Sequence, residues 1–366
     1  MSPKLRVLPF LLILLPLDFI VVVSLLIASA LGSMSVSRRS SVRKARRVLS
    51  EARATILILN WDGKHLLEEC LPSVIGAVHR AGAGHEILVV DNGSTDGSVE
   101  FVRNRFPQVK VLPLDRNYGF IGGNNRGVET VETDLVVLLN NDMIVDEDFL
   151  VPLMAGFTDE SVFAVTSQIF FEDQNRRREE TGKTRARFER GFFYLWHAEI
   201  DDADVKVKTL PVFWAGGGSC AFDRKKYLEI GGFDTLYDPF YVEDVDLSYQ
   251  AWKRGWKSLL APASRVLHKH RATSSRKFTT SFVENTTRRN QYLFLWKNVT
   301  DHSMLFEHLK NLPRVHVSGM LRTGVWFEIQ AYARAVLKLP SAVQRRIRNC
   351  VYYRLDDTEV MTRSQR

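Results

Sequence analysis

Cysteine is scarce in this chain: Cys70, Cys220 and Cys350 are the three among 366 residues, widely spaced and with no CxxC pair. That pattern excludes a disulfide framework and a structural zinc site, and a reducing compartment is the simpler expectation. No internal repeat occurs, which excludes a solenoid or a propeller. The low-hydrophobicity composition of disordered chains is also missing, since 45% of residues are apolar and 25% charged. The formal net charge is +8, but the surplus is clustered beside an apolar run. That placement points to anionic lipid rather than nucleic acid; a solvated basic face is the plainer alternative.

The one long apolar run is Val7 to Leu31. As a helix it measures about 37 Å, enough to cross a hydrocarbon core of ~30 Å with tilt. Pro9, Pro16 and Asp18 interrupt it, and a mid-span Asp costs ~3 kcal/mol on insertion scales. Ala28-Ser29-Ala30 resembles a signal-peptide cleavage site, yet the run is longer than the usual apolar region of such peptides. The expectation is a retained single-pass anchor. Arg38, Arg39, Arg43, Lys44, Arg46 and Arg47 follow the run, and only Lys4 and Arg6 precede it. This asymmetry puts the remainder of the chain in the cytoplasm, on the inner membrane. A glycosylation sequon at Asn92-Gly93-Ser94, inside a candidate ligand loop, agrees with that side.

After the basic linker, short apolar runs alternate with helical periodicity. Strands are expected at Thr55–Asn60, Glu86–Asp91, Val109–Leu114, Leu135–Leu139 and Val162–Ile169. Helices are expected around Leu66–Val78, Ser98–Phe106 and Gly122–Thr133. Continuous apolar strands separated by helices mean an α/β fold with a mostly parallel sheet. Ligands of such sheets bind beyond the carboxyl ends of the strands. Between Phe171 and Leu210 the periodicity fails: charge is dense, then Phe192, Phe193, Tyr194 and Trp196 cluster. Acceptor binding and a floppy insertion are equally good readings. A short helix at Asp223–Ile230 precedes Glu243–Arg254, which carries acids in its first turn, bases in its last and Gly255 as a stop. A strand follows within Trp256–His268, and the chain beyond Ser274 is basic and helical.

Four polar clusters end these elements. Asp91 closes a strand ahead of the Gly-rich Asn92-Gly93-Ser94-Thr95-Asp96-Gly97, where a carboxylate can accept a pyrimidine ring N–H; an ordinary turn fits equally well. Asn140-Asn141-Asp142 offers a carboxylate to Mg²⁺ or Mn²⁺, or simply a turn. Glu243-Asp244 suits a general base, or complements a helix dipole. His268 and His270 in Leu267-His268-Lys269-His270 are metal-ligand types that more often serve structure.

In their order these segments resemble the inverting family 2 glycosyltransferases with the GT-A fold. The resemblance rests on TILILNWDG, ILVVDNGSTDGS, RNYGFIGGNNRG, VVLLNNDM, GGGSCAFDRKKYLEIGGFD, YVEDVDL and VLHKH, and runs from about Thr55 to Ser274. RNYGFIGGNNRG and the NND look most like the bacterial rhamnosyltransferase-like branch. The resemblance implies that Asn60, Asp62, Asp91, Asn117, Gly119, Asn124 and Asn141 bind the donor nucleotide. Gly216, Gly217, Gly218 and Glu243 would lie near donor sugar and acceptor. Asp142 and His268 would hold a divalent metal, Mn²⁺ or Mg²⁺, with His270 an open alternative. Asp244 would be the base. Asn140 stands where many relatives carry the first Asp of a DxD motif, which removes one carboxylate.

The organisation that follows is an anchor and basic linker over 1–53, a GT-A domain over 54–274 and a basic helical segment over 275–366. Its fold class is a Rossmann-like, mostly parallel sheet flanked by helices. The expected partners are a nucleotide diphosphate sugar (UDP- or dTDP-linked, dTDP-rhamnose among them), a glycan or lipid-linked sugar acceptor of the cell envelope, and the membrane. Two rivals remain. A nucleotidyltransferase would want a Gly-rich, basic phosphate loop after the first strand, but Trp61-Asp62-Gly63-Lys64 has one Gly. A non-catalytic nucleotide-sugar-binding protein gains weight from Asn140. The C-terminal segment reads either as a membrane-interface surface or as a soluble cap.

Overall fold

The computed structural model describes residues 3–36, 52–82, 84–171, 180–269 and 278–365. The basic run Arg38–Arg47, the charged run Arg176–Glu179 and His270 lie outside the described residues.

Helix α1 (Pro3–Val36) precedes an alternating α/β core. Strands β1 (Ala54–Asn60), β2 (Glu86–Asp91), β3 (Lys110–Pro113) and β4 (Leu135–Asn140) alternate with α2 (Lys64–Ala81), α3 (Ser98–Arg105) and α4 (Gly119–Thr130). The chain continues through β5 (Met143–Val145), α5 (Leu150–Ala155), β6 (Val162–Phe171), the hairpin β7 (Thr184–Glu189) and β8 (Phe192–His197), and β9 (Leu210–Pro211). Strand β10 (Ser219–Asp223), α6 (Arg224–Ile230), α7 (Glu243–Lys253) and β11 (Lys257–His268) complete the core. The sheet order is β3-β2-β1-β4-β10-β6-β11-β5, with β9 beside β11. Strands β3, β2, β1 and β4 are mutually parallel, as are β6 and β11; β10 runs antiparallel between the two groups. The apolar runs expected as buried strands are buried: Ile56, Leu57, Val90, Val136 and Leu138 are all inaccessible or nearly so. Two layers of apolar packing cover the sheet, and burial of this kind contributes roughly 25 cal/mol per Å².

The stretch that loses periodicity folds in part. Strands β7 and β8 pair through a two-residue loop, Arg190-Gly191, with both residues at positive φ (54° and 77°). That is the primed turn matched to the twist of a hairpin. Alternation was missing because neighbouring Phe192 and Phe193 are both buried, one against Tyr292 and the other against Phe213 and Phe294. Tyr194 and Trp196 stay exposed.

Helices α8 (Thr280–Asn298), α9 (His302–Thr323), α10 (Val325–Leu337), α11 (Leu339–Cys350) and α12 (Asp357–Arg363) form a cap on the core. Buried ion pairs weld it down. Lys297 reaches Asp234 at 2.7 Å and Asp246 at 2.6 Å, and Lys253 meets Asp357 at 2.7 Å with both side chains fully enclosed. Removing one partner of such a pair typically costs ~3–5 kcal/mol.

Candidate functional site

The parallel register brings the strand ends together. Asn60 pairs with Asp91 across β1 and β2, and Leu59 with Asn140 across β1 and β4. The polar residues that end the apolar runs therefore share one edge. Asn60 Nδ2 donates to Asp91 Oδ2 at 3.2 Å, and its Oδ1 accepts from Asn141 Nδ2 at 2.9 Å. Asp91 Oδ1 accepts the Ser94 amide at 2.9 Å. Asp62, at φ 49°, accepts from the Thr95 amide at 2.8 Å, while its own amide donates to Ser94 Oγ. The loops after β1 and β2 are thus fastened to each other. Gly93 makes that possible: its φ is 74°, and a Cβ there would lie 2.6 Å from the Arg116 backbone.

A second set of bonds fixes the floor. Asn92 donates to Asn117 Oδ1 (2.9 Å) and Gly119 O (3.1 Å) and accepts the Tyr118 amide (2.9 Å). The spacing of RNYGF singles out Asn117 and Gly119, but nothing local marks Asn92 as the residue that holds them. Asn124 is placed differently. It is buried, with Nδ2 donating to Phe120 O one turn back in α4.

Asp142 and His268 also meet. His268 ends β11 opposite Met143, and its Nε2 lies 3.3 Å from Asp142 Oδ2. Its Nδ1 lies 3.0 Å from Glu180 Oε2. Burial opposes a charge on this ring, but the hydrogen bonds to Asp142 and Glu180 outweigh it and raise the pKa to about 9. Glu180 was not singled out by sequence, because it lies 88 residues from His268 in a run without periodicity. Among the described residues no group of three His, Cys, Asp or Glu side chains converges as a complete metal cage. The donor set does suit a divalent ion that shares its shell with a ligand. One hard carboxylate and one imidazole are present, and Glu180 orients the ring as carboxylates do behind metal-bound histidines.

The acids of α7 are aimed by a strained turn. Tyr241 and Val242 take φ of 69° and 78°, a region that a β-branched residue rarely enters. Asn290 of the cap holds the turn there, donating Nδ2 to the carbonyls of Tyr237, Phe240 and Tyr241 at 2.9–3.0 Å. Sequence patterns missed Asn290 because its role is set by contacts some 50 residues away. Asp244 is half-buried, and its two oxygens accept the amides of Val245 (2.8 Å) and Gly217 (3.4 Å). Burial, against those amides, raises its pKa to about 6. Glu243 is buried with Oε2 lacking a hydrogen-bond partner among the described residues, and burial and then the charge of Asp244 push its pKa well up. Burial thus biases one acid toward its neutral form, while its neighbour ionises at about pH 6. Gly216-Gly217-Gly218 links the clusters: the Gly217 amide faces Asp244, and the Gly218 carbonyl accepts the Asn140 amide at 2.9 Å.

The sequence matches the family described as glycosyltransferase like family 2 over residues 52–292. Among curated proteins it is 26% identical over 269 residues to the N-acetylglucosaminyl-diphospho-decaprenol L-rhamnosyltransferase of Mycobacterium tuberculosis, covering 68% of this chain and 85% of that one. It is 23% identical over 250 residues to human polypeptide N-acetylgalactosaminyltransferase 16, covering 65% of this chain and 44% of that one. Its fold is similar to GalNAc-T7, solved with UDP, GalNAc and Mn²⁺ (TM-score 0.54, 17% identity, 84% of this chain and 62% of that one). It is also similar to a mannosyltransferase from Pyrobaculum calidifontis, solved with GDP-Man and Mn²⁺ (TM-score 0.50, 16% identity, 89% and 87%).

Proposed function

From the premise that this chain belongs to glycosyltransferase family 2, we propose an inverting, metal-dependent transfer from a pyrimidine nucleotide diphosphate sugar to an acceptor hydroxyl. The observation that carries this reading is Asp244, a carboxylate tuned to about pH 6 beside the glycine loop that runs to the strand-end cluster. Asp91, with Asn60, Asp62, Asn117, Gly119, Asn124 and Asn141 around it, receives the nucleoside. Gly216–Gly218 and Glu243 border the donor sugar and acceptor. Asp142 and His268 would hold the cation, which when bound would offset charge on the departing diphosphate.

The step is one displacement. Asp244 takes the proton of the acceptor hydroxyl. The acceptor oxygen bonds to the anomeric carbon from the face opposite the diphosphate. The bond from that carbon to the diphosphate oxygen breaks, and the nucleoside diphosphate leaves with the electron pair. Burial biases Glu243 toward its neutral form, which limits negative charge beside the base. A positioned base of this kind contributes about 10²–10⁴-fold in rate.

The mycobacterial relative's name supports a rhamnosyl donor and a lipid-linked acceptor; the proposed setting is cell-envelope glycan or glycolipid synthesis. Helix α1 supports membrane anchorage, and the basic residues after it support a cytoplasmic catalytic domain. The test is product analysis of full-length protein given dTDP-rhamnose or a UDP-sugar, Mn²⁺ and a polyprenyl-diphosphate-linked N-acetylglucosamine. Metal-dependent release of nucleoside diphosphate with a sugar of inverted anomeric configuration is expected. Tight donor binding with neither transfer nor hydrolysis would favour the non-catalytic reading that Asn140 invites.

A further inference from the structure

Helix α1 is not a free tether. Val7, Leu14, Asp18, Val21, Leu25 and Ala28 form an inward row at alternating steps of three, four and seven, continued by Gly32. That is the seam of a helix packed on other helices. Its partners are the cap helices. Phe10 meets Trp326 at 5.9 Å between ring centroids. Asp18 Oδ1 accepts from Tyr332 Oη at 2.6 Å and lies 3.1 Å from His316 Nε2. Ser29 Oγ accepts from Arg346 at 2.9 Å, and a Cβ built on Gly32 would lie 2.7 Å from Cys350 Sγ. So α9 runs antiparallel to α1, with His316 by Asp18 and the α9–α10 junction by Phe10, while α10 and α11 return alongside. The cap grips α1 from end to end.

This grip conflicts with a simple crossing. Helix α9 exposes Lys310 and Arg314 along the middle of its length, beside the part of α1 that would lie at mid-membrane. A docked, spanning α1 would carry those charges into hydrocarbon, which is strongly unfavourable. An undocked, spanning α1 would leave Asp18 alone in lipid, strip the buried Tyr332 hydroxyl of its carboxylate and leave His316 with Glu328 alone. The opposite face of α1 is nonetheless purely apolar: Leu12 and Phe19 are 70% and 68% exposed, in a row with Leu8, Ile20 and Ile27. Trp326, 72% exposed, extends that row beside Phe10, and interfacial Trp is common at the level of lipid headgroups.

We propose that α1 stays docked in the membrane-bound protein and lies in the plane of a single leaflet, its exposed apolar row in the acyl chains and the basic cap residues at the headgroups. The protein is then monotopic, with both chain ends on one side of the membrane. The occupant of this face is lipid: the row is uninterrupted by charge, Lys310 and Arg314 are exposed on the cap helix packed against α1, and a further basic run follows in sequence at Arg38–Arg47. The inference rests on the reading that α1 is a membrane segment.

The test uses full-length protein with different epitope tags at its two ends, in sealed vesicles containing anionic lipid. Flotation first reads membrane association. External protease then reads topology. Removal of both tags from the same vesicle face is expected; removal of one with protection of the other overturns the inference and restores the crossing. Protein that fails to float removes the anchored reading itself, and the inference with it. A second arm places cysteines at both ends of the seam. Gly32→Cys should form a disulfide with Cys350, since the two Cβ atoms would be 3.7 Å apart. Phe10→Cys with Trp326→Cys should be bridged by a short bismaleimide in floated vesicles. Absence of the Phe10–Trp326 bridge there would show an undocked helix, and a bridge between different chains would assign the face to a second copy.

Discussion

Two histidines have the same kind of neighbours and different surroundings. His268 lies between Asp142 and Glu180 at 3.3 and 3.0 Å; His316 lies between Asp18 and Glu328 at 3.1 and 3.5 Å. In both, burial opposes a charge and the flanking carboxylates restore it, so both pKa values are raised. Around His316 every acid has further partners. Glu328 accepts both arms of Arg288 (3.1 and 3.0 Å) and Tyr292 Oη (2.6 Å), and Asp18 accepts Tyr332. The His316 side chain is wholly enclosed, whereas Glu180 at the sheet edge is 37% exposed. The same trio is sealed in one place and approachable in the other. A sealed, satisfied network fixes structure; an approachable one can exchange its proton for a ligand.

The largest break in that comparison is expected from the acids at the edge. Asp244→Asn should lower transfer by about 10²–10⁴-fold while keeping the donor-induced thermal shift. Its unfolding midpoint should stay close to that of the parent, because Asp244 rests on backbone amides and, among the described residues, on no ion pair in the cap. The sealed trio should respond the other way. Glu328→Leu leaves Arg288 without its carboxylate and His316 with Asp18 alone, and should cost ~3–5 kcal/mol in chemical denaturation. Glu243→Gln, which mimics the neutral carboxyl that burial favours, should change stability by less than ~1 kcal/mol.

Smaller effects sharpen the contrast. Glu180→Gln should weaken Mn²⁺ dependence of activity about 10–100-fold through the orientation of His268, with no change in unfolding. The pH profile gives the mildest readout. In the proposed mechanism Asp244 acts as the carboxylate, so kcat/KM should be flat above its pKa of about 6 and fall about tenfold per pH unit below it. A profile without an acid limb would assign the base elsewhere.

The legible part of this molecule is the part where local pattern and long-range placement coincide. Buried parallel strands are written as unbroken apolar runs, and the residue that breaks each run stands at the carboxyl edge of the sheet; the placement of Asn60, Asp91 and Asn140 there follows from that alone. Helix α7 was legible from its charges and from Gly255, which does take φ 83°. Asn290, Glu180 and the partners of Asp18 were not, because each acts across 49 to 314 residues and resembles an ordinary polar residue in its own neighbourhood. In α1 the seam was hidden for a different reason. A helix apolar all round shows no stripe, so only the row that meets the cap, with Asp18 in it, marks a docked face.

The most direct test of the account is a thermal-shift panel on full-length protein in mild detergent, with and without Mn²⁺, across UDP-, dTDP- and GDP-sugars. A donor at 100 times its dissociation constant stabilises the fold by about 2.7 kcal/mol. The account predicts a Mn²⁺-dependent shift with a UDP- or dTDP-sugar that is lost in Asp142→Asn and kept in Asp244→Asn. A shift with GDP-sugars alone, or one unchanged by Asp142→Asn, would contradict the assignment of this edge as a metal-assisted pyrimidine-nucleotide site.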